Sequence, residues 1–87
     1  MDPTNPATAY NLSSVLLRAG ELERARFYVA RVNSRDEQVT AGSLWLATRI
    51  EHRAGNRDGE REFGDQLRRR FPASRETNLL ELGRFDE

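Results

Sequence analysis

Arg18-Ala19-Gly20-Glu21-Leu22-Glu23-Arg24-Ala25 returns in outline as Arg53-Ala54-Gly55-Asn56-Arg57-Asp58-Gly59-Glu60, with the two central glycines 35 positions apart. Each glycine stands between stretches whose apolar residues recur at helical spacing, so the echo marks a helix–turn–helix unit present twice. Units of this kind stack into arrays that work by presenting a surface to another protein. The sequence therefore directs attention to binding rather than to catalysis.

Working outward from the first glycine, Asn5 is an acceptable N-cap and Pro6 suits the first helical position, where a missing N–H costs nothing. The helix that follows carries Ala9, Leu12, Leu16 and Ala19 on one stripe and stops at Gly20. A second helix runs from about Leu22 to Asn33, with Leu22, Ala25, Val29 and Val32 on its apolar side. Ser34-Arg35-Asp36-Glu37 has the form of a capping box, which predicts that a third helix begins near Arg35. Its stripe is Leu44, Ala47 and Ile50, and Gly55 ends it. Asn56 caps a fourth helix bearing Phe63, Leu67 and Phe71, which Pro72 closes. Ser74 caps a short last helix from Arg75 to about Leu82, terminated by Gly83, and Arg84 to Glu87 read as a frayed end. No alternating run or hairpin turn signal interrupts this pattern, so the fold class is all-α.

Two helices and a tight turn in a unit of about 34 residues resemble the tetratricopeptide (TPR) repeat. The first unit supplies Ala9, Leu12, Ser13, Leu16, Gly20, Leu22, Ala25, Val29 and Val32 at the signature places, with Glu37 where a proline is expected. The second supplies Leu44, Ala47, Thr48, Glu51, Gly55, Glu60, Gly64, Leu67 and Pro72, departing from the pattern at Glu60, in place of a small alanine, and at Gly64, in place of an aromatic. One unit length before Glu37 stands Pro3, which reads as the end of a preceding repeat and makes the chain a piece of a longer array. The expected architecture is antiparallel helix pairs stacked as a short right-handed solenoid: repeat one at about 6–36, repeat two at about 37–73, and a capping helix at about 74–83.

The TPR resemblance implies that the first helix of each unit lines a concave groove. Residues of those helices that lie off the apolar stripe are then the candidates for partner contact: Tyr10, Ser14, Leu17 and Arg18 in unit one, and Trp45, Arg49, His52 and Arg53 in unit two. Both units place an aromatic at the same position. Trp45, Arg49 and His52 share one helical face, and an aromatic flanked by arginine is typical of binding hot spots. The alternative for Trp45 is a core position between the two first helices, with Arg49 covering it.

Composition narrows the function classes. Fourteen basic and fourteen acidic residues leave a formal net charge of zero, so no overall field favours nucleic acid or an anionic membrane. The Arg68-Arg69-Arg70 run is read as a solvated helix end that complements the helix dipole, with Asp65 in reach. All fourteen basic residues are arginine, which fits either a GC-rich codon bias or selection for bidentate contacts. With no cysteine and one histidine, His52, no metal site is expected. No cofactor motif and no nucleophile–base pair stands out, so no enzyme activity is expected. No apolar run is long enough to span a membrane.

From Ser43 onward the text becomes more distinctive: Leu44-Trp45-Leu46-Ala47-Thr48-Arg49-Ile50-Glu51-His52-Arg53, then Gly55-Asn56-Arg57-Asp58, Leu67-Arg68-Arg69-Arg70-Phe71-Pro72-Ala73-Ser74-Arg75-Glu76, and Gly83-Arg84-Phe85. This half of the chain resembles the C-terminal TPR region of the type IV pilus biogenesis/stability lipoproteins (PilF/PilW, or pilotins). The resemblance implies a non-enzymatic protein–protein interaction scaffold that assists outer-membrane localisation and assembly of the pilus secretin. The partner would be that secretin or another pilus-assembly component. It also implies a parent protein on the periplasmic face of the outer membrane, held by a lipid anchor outside this stretch, with the stretch itself soluble. The alternative is a structural TPR segment that caps the solenoid of an unrelated adaptor or assembly protein.

Overall fold

The computed structural model describes residues 5–85, which form five α-helices: α1 (Pro6–Arg18), α2 (Leu22–Asn33), α3 (Ala41–Ala54), α4 (Arg57–Arg70) and α5 (Arg75–Leu82), with one 3-10 turn at Asp36–Gln38. No strand occurs among the described residues. Pro3, the residue taken as the end of a preceding repeat, lies outside them.

Local chemistry sets most of the helix ends. Asn5 accepts a hydrogen bond from the Ala7 amide at 2.9 Å, Asn56 from Gly59 at 3.2 Å and Ser74 from Thr77 at 3.1 Å, each satisfying an amide that the first turn leaves without a partner. The glycine echo has a direct structural counterpart. Gly20 and Gly55 take φ of 80° and 75°, the left-handed region, and each closes its helix with the same pair of bonds. The Glu21 and Gly20 amides reach the Leu16 and Leu17 carbonyls, as the Asn56 and Gly55 amides reach Glu51 and His52. Gly83, at φ 71°, repeats the motif a third time after α5.

One boundary differs from the sequence expectation. The third helix begins at Ala41 rather than near Arg35. The Ser34 hydroxyl turns back to donate to the Arg31 carbonyl at 2.8 Å, finishing α2 instead of starting α3, and Arg35 is extended at φ −121°. The 3-10 turn follows, Val39 is buried, and the working capping box is Thr40 with Ser43, whose side chains each bond the other's backbone amide. The chain must reach across from the end of α2 to seat Val39 before a new helix can start, and a local motif does not record that requirement.

α1 pairs with α2 and α3 with α4 as two helical hairpins, α2 packs on α3, and α5 lies across α3 and α4. Two apolar clusters result. Leu16, Leu17, Ala25 and Val29 meet Leu46, Ala47 and Ile50 on one side of α3, while Leu44 and Trp45 meet Val39, Leu67, Leu79 and Leu80 on the other. α3 is therefore covered on nearly every side, and eight of its residues from Ser43 to Glu51 are buried. Polar pins reinforce the packing. Ser13 donates to the Ala25 carbonyl at 2.7 Å across the first hairpin. Arg26 on α2 forms a bidentate pair with the buried Glu51 of α3 at 2.7 and 2.8 Å, and Asn56 donates to the same carboxylate at 2.9 Å.

The irregular second unit has a packing reason at its Gly64 departure, and another at the start of α4, at Gly59. A Cβ on Gly64 would come within 3.3 Å of Leu80, so the place where a regular repeat carries an aromatic is taken by α5. A Cβ on Gly59 would lie 2.9 Å from the Glu51 Cγ, so α4 starts against the Glu51 pin only because that residue has no side chain.

Candidate functional site

α1 and α3 run side by side in the same direction. Near their N-terminal ends the Tyr10 hydroxyl lies over Gly42, where a Cβ would be 3.4 Å away, and near their C-terminal ends the Arg53 guanidinium donates to the Leu17 carbonyl at 2.7 Å. That carbonyl, in the last turn of α1, also accepts from the Gly20 amide at 3.0 Å, so the arginine adds a second bond at the helix end and ties the two first helices together.

Two depressions lie along this seam. The one at the N-terminal end is mostly apolar and is formed by Pro6, Ala7, Tyr10, Val32, Thr40 and Gly42 among others. The one at the C-terminal end, about 410 Å³, is lined by Leu17, Arg18, Arg49, His52, Arg53 and Phe85. The second has the makings of a protein-binding site, because four basic side chains converge on it around an apolar floor.

The eight residues expected to face a partner divide by burial. Arg18, His52 and Arg53 are exposed and Arg49 is half-buried, all four lining the cationic end. Tyr10 and Ser14 are half-buried, with Tyr10 at the apolar end. Leu17 and Trp45 are corrected: their side chains are 2% and 4% exposed and belong to the two clusters of the core. Trp45 is core because α3 has a second neighbour on that face, namely α5 and the segment after it, which helical spacing alone cannot reveal.

That segment is also where the sequence reading missed a component. Arg84 and Phe85 were expected to fray, yet the turn at Gly83 sends the chain back over α3. The Phe85 ring stacks on His52, with centroids 3.9 Å apart and planes 9° from parallel, and on Trp45 at 5.5 Å and 26°. The Arg49 Nε donates to the Phe85 carbonyl at 3.0 Å, and the His52 Nδ1 donates to Glu60 at 3.1 Å. The available signal was the glycine itself: a helix closed by a left-handed residue reverses direction, and an aromatic two residues later has a surface to land on.

The arginine run behaves differently. Arg68 pairs with Asp65 and Glu81, and its guanidinium is held above the ordinary arginine range, chiefly by the hydrogen bond to Glu81. Arg70 lies 3.7 Å from Asp36. These pairs link α4 to α5 and to the 3-10 turn, so Arg68 and Arg70 are tied to carboxylates. Among the described residues no cluster of three or more metal-ligating side chains occurs, and no helix is long and apolar enough to cross a membrane.

Neither a protein-family model nor a curated protein matches the chain. A solved structure does: a crystal structure of PilW, described as a widely conserved type IV pilus biogenesis factor, superposes with a TM-score of 0.81 over 90% of this chain at 31% identity. The resemblance first drawn from the text after Ser43 is thereby borne out, and it extends through the first hairpin as well. The chain spans 36% of the length of that PilW chain.

Proposed function

We propose, from the premise that the chain is a PilW-like tetratricopeptide module, that it is a protein–protein interaction scaffold in type IV pilus biogenesis. The finer reading is a pilotin-like one. The module contributes to outer-membrane localisation and assembly of the pilus secretin, acts without enzyme chemistry or a cofactor, and is carried at the periplasmic face of the outer membrane by an anchor outside this stretch.

The observation that carries the reading is the seam between α1 and α3, a pair of parallel helices presenting a concave, partly apolar and partly cationic surface, in a fold that superposes on a pilus biogenesis factor. A rigid scaffold with side chains converging on one groove suits the capture of an extended segment. The test is retention of purified pilus secretin, or of other purified pilus-assembly components, by the immobilised chain. Retention above that of an unrelated helical-repeat protein is expected, and failure to retain any of them contradicts the reading.

A second reading has its own observation. α5 and Phe85 cover the end of the second hairpin and bury Leu79, Leu80 and Trp45, which is what a capping element of a solenoid does. If capping is the whole role, substitutions along the α1–α3 seam leave pilus assembly unaffected, while deletion of residues 74–87 unfolds the module.

A further inference from the structure

Trp45, Arg49 and His52 stand at i, i+4 and i+7 on α3, the face that helical position nominates for a partner, and all three are engaged by one residue of the chain's own C-terminal segment. The Phe85 ring lies flat on the imidazole of His52, with centroids 3.9 Å apart and planes 9° from parallel, and stacks on the indole of Trp45 at 5.5 Å. Its backbone carbonyl accepts from the Arg49 Nε at 3.0 Å. Two ring faces thus select the side chain, while the bond to the carbonyl is open to any residue in that place. Extended peptides are recognised in this divided way, with main-chain bonds supplying affinity and a side-chain slot supplying specificity. Phe85 is only half-buried where it sits, and the cleft it walls continues past Arg53 to Leu17 and Arg18 on α1.

We propose that this stripe is a seat for an aromatic residue of an extended segment of another protein, and that Phe85 fills the seat in cis until the partner residue displaces it. The proposal rests on the interaction-scaffold reading and adds to it the residue type that the groove selects and a way in which the chain regulates its own groove. The seat is defined by two rings and a main-chain bond, so it does not depend on the charge of the side chains around it. Displacement has a hinge. α5 ends at Leu82, and Gly83 takes φ of 71°, a region that glycine enters at little cost, so the segment beyond it can swing without unwinding the helix. α5 itself is anchored by Leu79 and Leu80 in the second apolar cluster, which lets the ring leave while the helix stays. The cleft of about 410 Å³ beside the ring has room for the residues that flank a partner's aromatic. An internal occupant lowers the apparent affinity of every competitor in proportion to the time the seat is closed, so a segment that offers an aromatic ring and flanking contacts enters while a poorer match is refused.

The test is NMR of the isotope-labelled 87-residue chain, as the parent and as Phe85→Ala, titrated with the uncharged peptide acetyl-Ala-Phe-Ala-amide and, separately, with acetyl-Ala-Leu-Ala-amide. Phe85→Ala is expected to bind the phenylalanine peptide roughly tenfold more tightly than the parent, in which the seat is filled, with shifts centred on the Trp45 indole, the Arg49 Nε and the His52 ring. The leucine peptide binds the same variant more weakly, because it has no ring to stack. Phe27→Ala, on the exposed side of α2, leaves the behaviour of the parent unchanged. If Phe85→Ala loses its folded spectrum, Phe85→Leu, which keeps an apolar cover without an aromatic face, takes its place with the same expectations. Equal affinity of parent and variant, equal binding of the two peptides, no binding to the variant, or shifts centred away from α3 overturns the proposal. If the phenylalanine peptide behaves as expected while no purified pilus protein is retained, the seat stands and the pilus assignment falls. If pilus proteins are retained while the peptide fails, the aromatic seat is wrong and the scaffold reading stands.

Discussion

At the scale of single residues, the contact that most constrains the module is the Arg26–Glu51 pair. Glu51 is 3% exposed, and its charge is tolerated there only because Arg26 and Asn56 supply three hydrogen bonds. Glu51→Ala is expected to cost about 2 kcal/mol in urea unfolding, below the full cost of breaking a buried pair because Arg26 can turn to water. The hydrogen bonds that Arg26 donates to Glu51 raise its guanidinium above the ordinary range. The folded state thus holds that proton more tightly than the unfolded chain, so the Arg26 contribution is complete at neutral and mildly alkaline pH and, on the alkaline side, is lost only as pH rises through the raised value. The Glu51→Ala penalty should accordingly be the same at neutral and mildly alkaline pH. Sequence reading placed Glu51 at a repeat position without seeing its partner, because the two lie 25 residues apart and nothing local links them. Trp45 was left between groove and core for a related reason. A helical stripe identifies the face turned to one neighbour, and α3 has neighbours on both sides.

At the scale of the elements, legibility follows locality. The caps at Asn5, Asn56 and Ser74 and the stops at Gly20, Gly55 and Gly83 could be read directly, since each is decided by bonds within one turn. The start of α3 could not, because two capping patterns compete within seven residues and the burial of Val39 selects the later one. Thr40→Ala is therefore expected to lower stability by about 1 kcal/mol in thermal unfolding, and Ser34→Ala to leave it nearly unchanged. The reverse order would restore a helix start near Arg35. The departures of the second unit belong to this scale too. Gly64 looked like a lost aromatic in the text, but it is the seat of Leu80, so the aromatic was given up in favour of contact with α5.

For the whole molecule, the two hairpins and the returning C-terminal segment make one body of 34 × 27 × 20 Å in which the tail is structural. Trp45, the sole tryptophan, reports on it. Removing residues 84–87 should uncover the indole from Phe85, shift its emission to longer wavelength and lower the melting temperature; unchanged emission would mean that the tail does not cover Trp45 in solution. The all-α repeat architecture was legible because its signals recur, whereas the groove was legible only in part. Arg18, Arg49, His52 and Arg53 could be named from helical position, but Phe85 reaches the site from beyond the last helix.

The central claim is that the seam between α1 and α3 is the working surface of a pilus scaffold. NMR chemical-shift mapping of the chain against purified pilus secretin segments tests it most directly. The account predicts that the perturbed amides cluster at Arg18, Arg49, His52, Arg53 and Phe85. Perturbation centred on the exposed face of α2, at Phe27, Ala30 and Arg31, with the seam unchanged, would contradict it.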